Sequence, residues 1–371
     1  MSLSTVFVVG LRGFPNVQGG IEKHCSELYP RIVRDSDINV VVLCRANHQP
    51  PDIREYRGVV MRPLWSPSSP GIEAFLHTFL GVLYAIVKRP DLLHIHAIGP
   101  GIFTLFARMF GLKVVFTHHG FDYKREKWGR VARAILQIGE RLALKFSNAA
   151  IAVSKVAGAE LETKYRRKVE VIRNGVEIYD GRVRRKILSQ LGLSEQKYVL
   201  SVSRIVEEKR QLDIVDAFLG AATHDTKLVI VGEGGGGKYY DQVCAKIKDR
   251  IDIVAPGVIY GDDLLCLYQN CAMFVHASSL EGNPIVVLEA MSFGLHLLVS
   301  DIDAHREIEL DSADYFPLGD IEVLSTRLSE RLARGDFKLD TKKQERIQTE
   351  FNWDLVSQRT LNVYNAILDK K

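Results

Sequence analysis

The sequence has no apolar run able to cross a bilayer. Its longest, residues 79–87, falls well short of the roughly 20 residues required, and Arg108 and Lys113 interrupt the hydrophobic region 98–116. The first ten residues lack the basic start and long apolar stretch of a signal peptide, so a cytoplasmic chain is expected. The five cysteines (Cys25, Cys44, Cys244, Cys266 and Cys271) form no Cys-x-x-Cys pair. That excludes the common zinc and redox motifs and leaves reduced, mostly buried thiols. With 12 Pro and 29 Gly in 371 residues, the chain is neither collagenous nor of low complexity. Basic residues interleaved with stacking aromatics are also missing, which argues against a nucleic-acid partner.

What is present is a globular composition, 46% hydrophobic and 25% charged, at a length that suits two domains. The net charge of +4 is unevenly spread. Residues 1–180 hold 25 Lys and Arg against 16 Asp and Glu, and the remainder holds 24 against 29. A basic first half suggests a surface for an anionic partner, with solvated charge as the plainer alternative.

Short apolar runs alternate with helical stretches. They fall at residues 6–9, 40–43, 92–95, 114–117 and 150–153, and the rhythm restarts at 199–202, 228–231, 251–254, 273–275 and 297–300. Continuous apolar strands separated by helices are the signature of parallel sheets covered on both faces, so an α/β chain of two doubly wound Rossmann-like domains is expected. The boundary is expected within residues 174–195, where Arg182, Arg184, Arg185 and Lys186 cluster. Ligands of such sheets gather at the carboxyl ends of strands.

Those ends carry the candidate chemistry. The first strand opens into Gly10-Leu11-Arg12-Gly13-Phe14-Pro15-Asn16-Val17-Gln18-Gly19-Gly20, whose last glycines bring bare amides to a helix start, a setting for an anion. Residues 199–202 lead to Arg204 and Lys209, a planar fork and a point charge that suit a diphosphate leaving group. The most specific segment runs from Ser278 to Met291 and holds Glu281 and Glu289 around Gly282-Asn283-Pro284. A helix starting near Pro284 puts Glu281 in the preceding loop and Glu289 on the helix. Carboxylates on either side of an anion-binding helix start suit a phosphate flanked by hydroxylated rings, as in a nucleotide sugar.

Glu281-Gly282-Asn283-Pro284 to Glu289-Ala290-Met291, Arg204-x4-Lys209, Gly232-Glu233-Gly234, Arg173-Asn174-Gly175-Val176 and the Gly19-Gly20 loop together resemble the retaining glycosyltransferases of family 4, nearly end to end and in the family's order. The terminal Phe351-Asn352-Trp353 and the helical tail are similar too. The resemblance implies a GT-B architecture with two domains facing across a cleft: residues 1–176 on the acceptor side, completed by helix 353–371, and 177–352 binding the donor. It implies Arg204 and Lys209 at the donor diphosphate, Glu289 at the ribose and Glu281 at the transferred sugar. Gly19 and Gly20 would meet the distal phosphate, Gly282, Asn283, Pro284 and Ile285 would line the donor, and His118 would face the reaction centre. The reaction implied is transfer, with retention, from a nucleoside diphosphate sugar to a glycan or lipid-linked acceptor, without metal or other cofactor. The opening Arg12-Gly13-Phe14-Pro15 resembles enzymes of bacterial surface polysaccharides, rhamnosyltransferases among them. Three positions depart from the family pattern: Arg210 after Lys209, Asn283-Pro284, and His296.

Several competing signals remain. Gly232 to Lys238 has P-loop spacing, but Tyr239 stands where a compact hydroxyl is needed for magnesium. Asp301-Ile302-Asp303 reads as chance carboxylate spacing. His94 and His96 share a strand face without a third ligand nearby in sequence, so packing is expected. A non-hydrolysing nucleotide-sugar epimerase and a two-domain sugar-binding protein are the rival functions. Residues 130–146 set Val131, Ile135, Ile138, Leu142 and Phe146 on one helical stripe, expected to face the core, and Arg130, Arg133, Arg141 and Lys145 on another. With Lys124, Arg125, Lys127 and Trp128 ahead of it, and about 1 kcal/mol per basic residue at an anionic leaflet, this segment suggests peripheral binding to the inner face of the cell membrane.

Overall fold

The computed structural model describes residues 4–50, 52–68, 72–125, 128–179, 181, 186–223, 225–335, 337 and 339–369. Arg182, Arg184 and Arg185 of the expected boundary cluster, and Lys127 of the basic segment, lie outside the described residues. The chain divides into two compact units, Met1–Gly175 with Trp353–Lys371, and Val176–Asn352.

In the first unit, β1 (Ser4–Val9), β2 (Ile38–Arg45), β3 (Glu55–Tyr56), β4 (Val59–Leu64), β5 (Leu92–His96), β6 (Val114–His118), β7 (Ala149–Ala152) and β8 (Glu170–Val171) form one sheet. Its order is β3-β4-β2-β1-β5-β6-β7-β8, parallel except for the β3–β4 pair. Helices α1 (Gly20–Asp35), α2 (Ile72–Lys88), α3 (Thr104–Met109), α4 (Arg130–Phe146) and α5 (Lys155–Tyr165) connect the strands. Strand β4 escapes the sequence pattern because Arg62 and Pro63 break its apolar run. Beyond Val60 it no longer pairs with β3, so Pro63 costs no ladder bond on that side.

The second unit holds α6 (Lys186–Gln190), α7 (Gln211–Gly220), α8 (Lys238–Ile247), α9 (Gly261–Asn270), α10 (Ile285–Ser292), α11 (Asp303–Arg306), α12 (Ile321–Arg334) and α13 (Thr341–Glu350). Its strands are β9 (Tyr198–Val202), β10 (Lys227–Val231), β11 (Ile253–Gly257), β12 (Met273–His276), β13 (Leu297–Ser300) and β14 (Tyr315–Phe316). They form a parallel sheet in the order β11-β10-β9-β12-β13-β14. Strand β11 starts later than its apolar run suggests, since Ile251 is 92% exposed. Helix α14 (Trp353–Leu368) then rejoins the first unit, where Tyr364 reaches His94 at 2.6 Å and Lys113 Nζ donates to Ile367 O at 2.9 Å.

Both sheets reverse their winding at a central strand. β1 lies between β2 and β5, and β9 lies between β10 and β12. Crevices form at the carboxyl ends of such switch points. At the first, the chain leaves β1 at Gly10 with φ +102, and a Cβ there would stand 2.1 Å from His96 O, so only glycine permits the approach.

Helix α4 corrects an expectation. Val131, Ile135 and Ile138 are 75%, 42% and 49% exposed, and the buried face is Leu136, Gly139, Glu140, Ala143 and Leu144. Small residues decide this. A Cβ on Gly139 would meet Ile98 O at 2.2 Å, so the helix seats its glycine and alanine against the backbone and turns the larger stripe outward.

Candidate functional site

In the second unit, the carboxyl ends of β9 and β12 bring two loops together. The Ser279 amide donates to Glu208 O at 2.8 Å, the Ser278 hydroxyl donates to the same oxygen at 3.0 Å, and Ser300 Oγ donates to Ser278 O at 2.5 Å. This stitching sets Lys209 Nζ in an ion pair on Glu281 Oε1, which also accepts from His276 Nε2 at 2.7 Å. Burial alone would raise the Glu281 carboxyl, but Lys209 and His276 outweigh it and hold it well below the ordinary carboxylate range. His276 is kept neutral by burial despite its acidic neighbour. Behind it His305, pushed down to about 3 mainly by burial, stacks edge-on at 5.5 Å and shares its Nδ1 proton with Ser300 O at 2.7 Å.

Arg210 follows Lys209 at φ 52, ψ 41, and Asp213 holds its guanidinium at 2.6 Å. The sequence departure therefore falls on a left-handed residue, where glycine is the unstrained choice. Arg204 lies half-buried at the end of β9, its carbonyl accepting from Gln211 Nε2 at 2.7 Å. Gly234 packs on this loop, because a Cβ there would stand 2.3 Å from Ile205 O.

Pro284 caps α10, with Asn283, Pro284 and Ile285 buried and Gly282 half-buried, and the Val287 amide donates back to Pro284 O at 3.0 Å. The first-turn amides of a helix lack intrahelical acceptors, so this end attracts an anion. Glu289 is half-buried in α10, and Tyr268 Oη of α9 donates to its Oε2 at 3.1 Å. Tyr239 is committed elsewhere, its hydroxyl accepting from the Leu212 amide at 3.1 Å. Asp301 is paired with Arg306 at 2.5 and 2.6 Å.

In the first unit, Gly19 caps α1 and Gly20 is exposed. Glu22 Oε1 accepts from the Arg12 amide at 3.1 Å and from Arg12 Nε at 3.0 Å, and Arg12 also donates to Gln18 O at 2.5 Å. This clamp leaves no room for a side chain on Gly19, whose Cβ would lie 2.0 Å from Glu22 Oε2.

His118, expected to face the reaction centre, is placed by the structure in the interior of the first unit. It is fully buried at the end of β6, 3.2 Å from Glu140 Oε2 and 4.8 Å, ring to ring, from Phe121. Its neighbour His119 lies on the other face, half-buried, with Nε2 2.8 Å from His96 Nδ1 and its ring 4.9 Å from that of His24. Strand alternation is the signal that separates them: His118 shares its face with core Phe116, and His119 follows Thr117. His94 packs as expected. Its Nε2 lies 2.7 Å from Thr117 Oγ1, and its Nδ1 lies 2.6 Å from Tyr364 Oη and 3.1 Å from Tyr29 Oη.

Comparison with known proteins agrees with these two halves. Residues 18–179 match the model of Glycosyltransferase Family 4, and residues 183–344 that of Glycosyl transferases group 1. The chain is 24% identical to an uncharacterised glycosyltransferase of Methanocaldococcus jannaschii over 96% of each protein. It is 29% identical, over 65% of this chain and 66% of the relative, to the UDP-Gal:α-D-GlcNAc-diphosphoundecaprenol α-1,3-galactosyltransferase of Escherichia coli. The structure of Anabaena HepE in complex with UDP-glucose shares the fold, with a TM-score of 0.80 over 98% of this chain and 99% of that one at 16% identity. The transferase models disfavour the epimerase alternative. With both halves matched in order, on two doubly wound parallel sheets, the chain belongs to the family 4 glycosyltransferases and has their GT-B fold.

Proposed function

We propose that this glycosyltransferase moves a sugar, with retention, from a nucleoside diphosphate sugar to a hydroxyl of a lipid-linked or growing glycan. The observation that carries this reading is the Lys209–Glu281 ion pair at the carboxyl edge of the second sheet, oriented by His276. An arriving diphosphate takes Lys209 from Glu281, and the released carboxylate, already ionised, accepts hydrogen bonds from the sugar's hydroxyls. Arg204 and the amides around Gly282 to Ile285 share the diphosphate charge, and Glu289 takes the ribose hydroxyls. The bond from anomeric carbon to diphosphate oxygen breaks as the acceptor oxygen bonds on the same face, and the acceptor's proton passes to the departing diphosphate. In the first unit, Gly19 and Gly20 offer amides to an anion, and the half-buried His119 takes the sugar-facing role that the resemblance had given to His118.

The lipid-linked acceptor takes support from two directions. The name of the Escherichia coli relative states a diphosphoundecaprenol-linked acceptor. Helix α4 exposes Val131, Ile135 and Ile138 beside exposed Arg130, Arg133, Arg141 and Lys145. An apolar stripe edged by cations is how a helix lies in an anionic membrane surface. Among the described residues no helix is long and apolar enough to cross a membrane, so the proposed attachment is peripheral.

Incubation with a panel of nucleotide sugars and lipid-linked or glycan acceptors tests the activity. Free nucleoside diphosphate with a glycosylated acceptor is expected, and an altered sugar with no acceptor consumed would contradict transfer. Sedimentation at low salt with anionic but not neutral vesicles is expected, and equal recovery with both would remove the membrane reading.

A further inference from the structure

We infer that His24, His96 and His119 form a binding site for one late first-row divalent metal ion of the zinc class. The three come from α1, the end of β5 and the residue after β6, and each offers one ligand nitrogen within 4.8 Å of the others. Sequence spacing hides the site, because α1 and the end of β6 supply the partners that the His94–His96 pair lacks locally.

Surrounding groups fix which nitrogens carry lone pairs. Asn174 Oδ1 can only accept, so His24 Nδ1, at 2.8 Å, carries the proton and leaves Nε2 as a ligand. Tyr364 donates to His94 Nδ1 at 2.6 Å and accepts the hydrogen bond of Tyr29, while His94 Nε2 donates to Thr117 Oγ1 at 2.7 Å. With the Tyr29 proton so used, its oxygen accepts from His96 Nε2 at 2.5 Å, and His96 Nδ1 is left with a lone pair facing His119 Nε2 at 2.8 Å. Metal-bound histidines are oriented by such partners on their second nitrogen. Zn–N bonds of about 2.0–2.1 Å in a tetrahedral site place ligand nitrogens about 3.3 Å apart, so nitrogens within 4.8 Å of one another need to close by about 1.5 Å at most. On binding, the His119 proton moves from Nε2 to Nδ1, and the ion replaces the N–H···N bond. Half-buried His119 leaves a way in and a fourth position for water. A second such trio among the described residues, His276, Glu281 and His305, has its carboxylate committed to Lys209. An ion at His119 Nε2 would also suppress transfer, a consequence that rests on the role proposed for His119.

The test uses tag-free, chelator-stripped full-length protein titrated with Co²⁺. One equivalent is expected to bind with the intense visible bands of four-coordinate cobalt and to be displaced by Zn²⁺. His24→Ala and His119→Ala should lose the bands, Tyr29→Phe should weaken cobalt binding about tenfold or more, and Cys244→Ser should match the parent. Circular dichroism establishes that each variant is folded. Absence of the bands from the folded parent protein, or their persistence in His119→Ala, would overturn the site. Stoichiometric cobalt with undiminished transferase turnover would uphold the site and contradict the role of His119 in transfer.

Discussion

Each unit buries a glutamate that is ionised in the fold, and the two differ in how completely their neighbours use them. Glu140 in α4 is fully buried. Its Oε1 accepts from Lys164 Nζ and Tyr165 Oη, both at 2.7 Å, and its Oε2 faces His118 Nε2 at 3.2 Å. Glu281 sits at a strand-end loop, and the single oxygen Oε1 takes both Lys209 and His276. A carboxylate whose two oxygens are spent on the fold stabilises it. One with an oxygen in reserve, at the edge where ligands gather, has bonding capacity left for a substrate. Similar buried-charge physics thus serves stability in one unit and, as proposed, chemistry in the other.

Deleting each carboxylate in turn separates the two roles. Glu281→Ala is expected to lower turnover by about 10²–10³-fold while the variant remains folded by circular dichroism. Near-normal transfer would remove Glu281 from the mechanism. Glu140→Ala should cost about 3 kcal/mol in denaturant unfolding, because Lys164 loses its partner and a buried polar hole remains. Its turnover per folded molecule should stay near that of the parent, and a turnover loss as deep as that of Glu281→Ala would erase the distinction.

Acid sharpens the contrast further. Burial would raise the Glu140 carboxyl, but His118, Lys164 and Tyr165 bring it from the ordinary 4.5 down to about 2. A depressed carboxylate stabilises the fold above the unfolded value and loses that contribution as pH falls through the folded one. The stability gap between the parent and Glu140→Gln, read from urea midpoints, should be largest above pH 4.5 and close towards pH 2. A gap that does not change with pH would contradict the ionised assignment. The smallest effect expected is at Arg210. Relieving its left-handed backbone in Arg210→Gly should raise stability by about 0.5–1 kcal/mol after loss of the Asp213 contact, and a fall in the urea midpoint would show that contact to matter more.

Much of the fold was legible because central parallel strands must be apolar on both faces, and Val6, Val8, Leu200 and Phe274 have no other place to go. The ends of α4 were legible as well, but its orientation was not. Periodicity finds a stripe without saying whether a larger apolar stripe or a row of Gly139 and Ala143 meets the sheet, and backbone approach at Ile98 decides it. The loop holding Glu281 and the helix holding Glu289 followed from Pro284. The different burial of His118 and His119 turns on a single step of strand alternation, which Thr-His-His-Gly alone does not fix. Glu140 gave no signal, because its partners Lys164, Tyr165 and His118 are brought together only by the fold.

The most direct measurement is a crystal structure with a nucleoside diphosphate bound. The diphosphate is expected within hydrogen-bond distance of Lys209 and Arg204, with the ribose on Glu289 and Lys209 drawn off Glu281. A nucleotide seated away from these residues, or a Lys209–Glu281 pair that stays closed beside it, would contradict the claim.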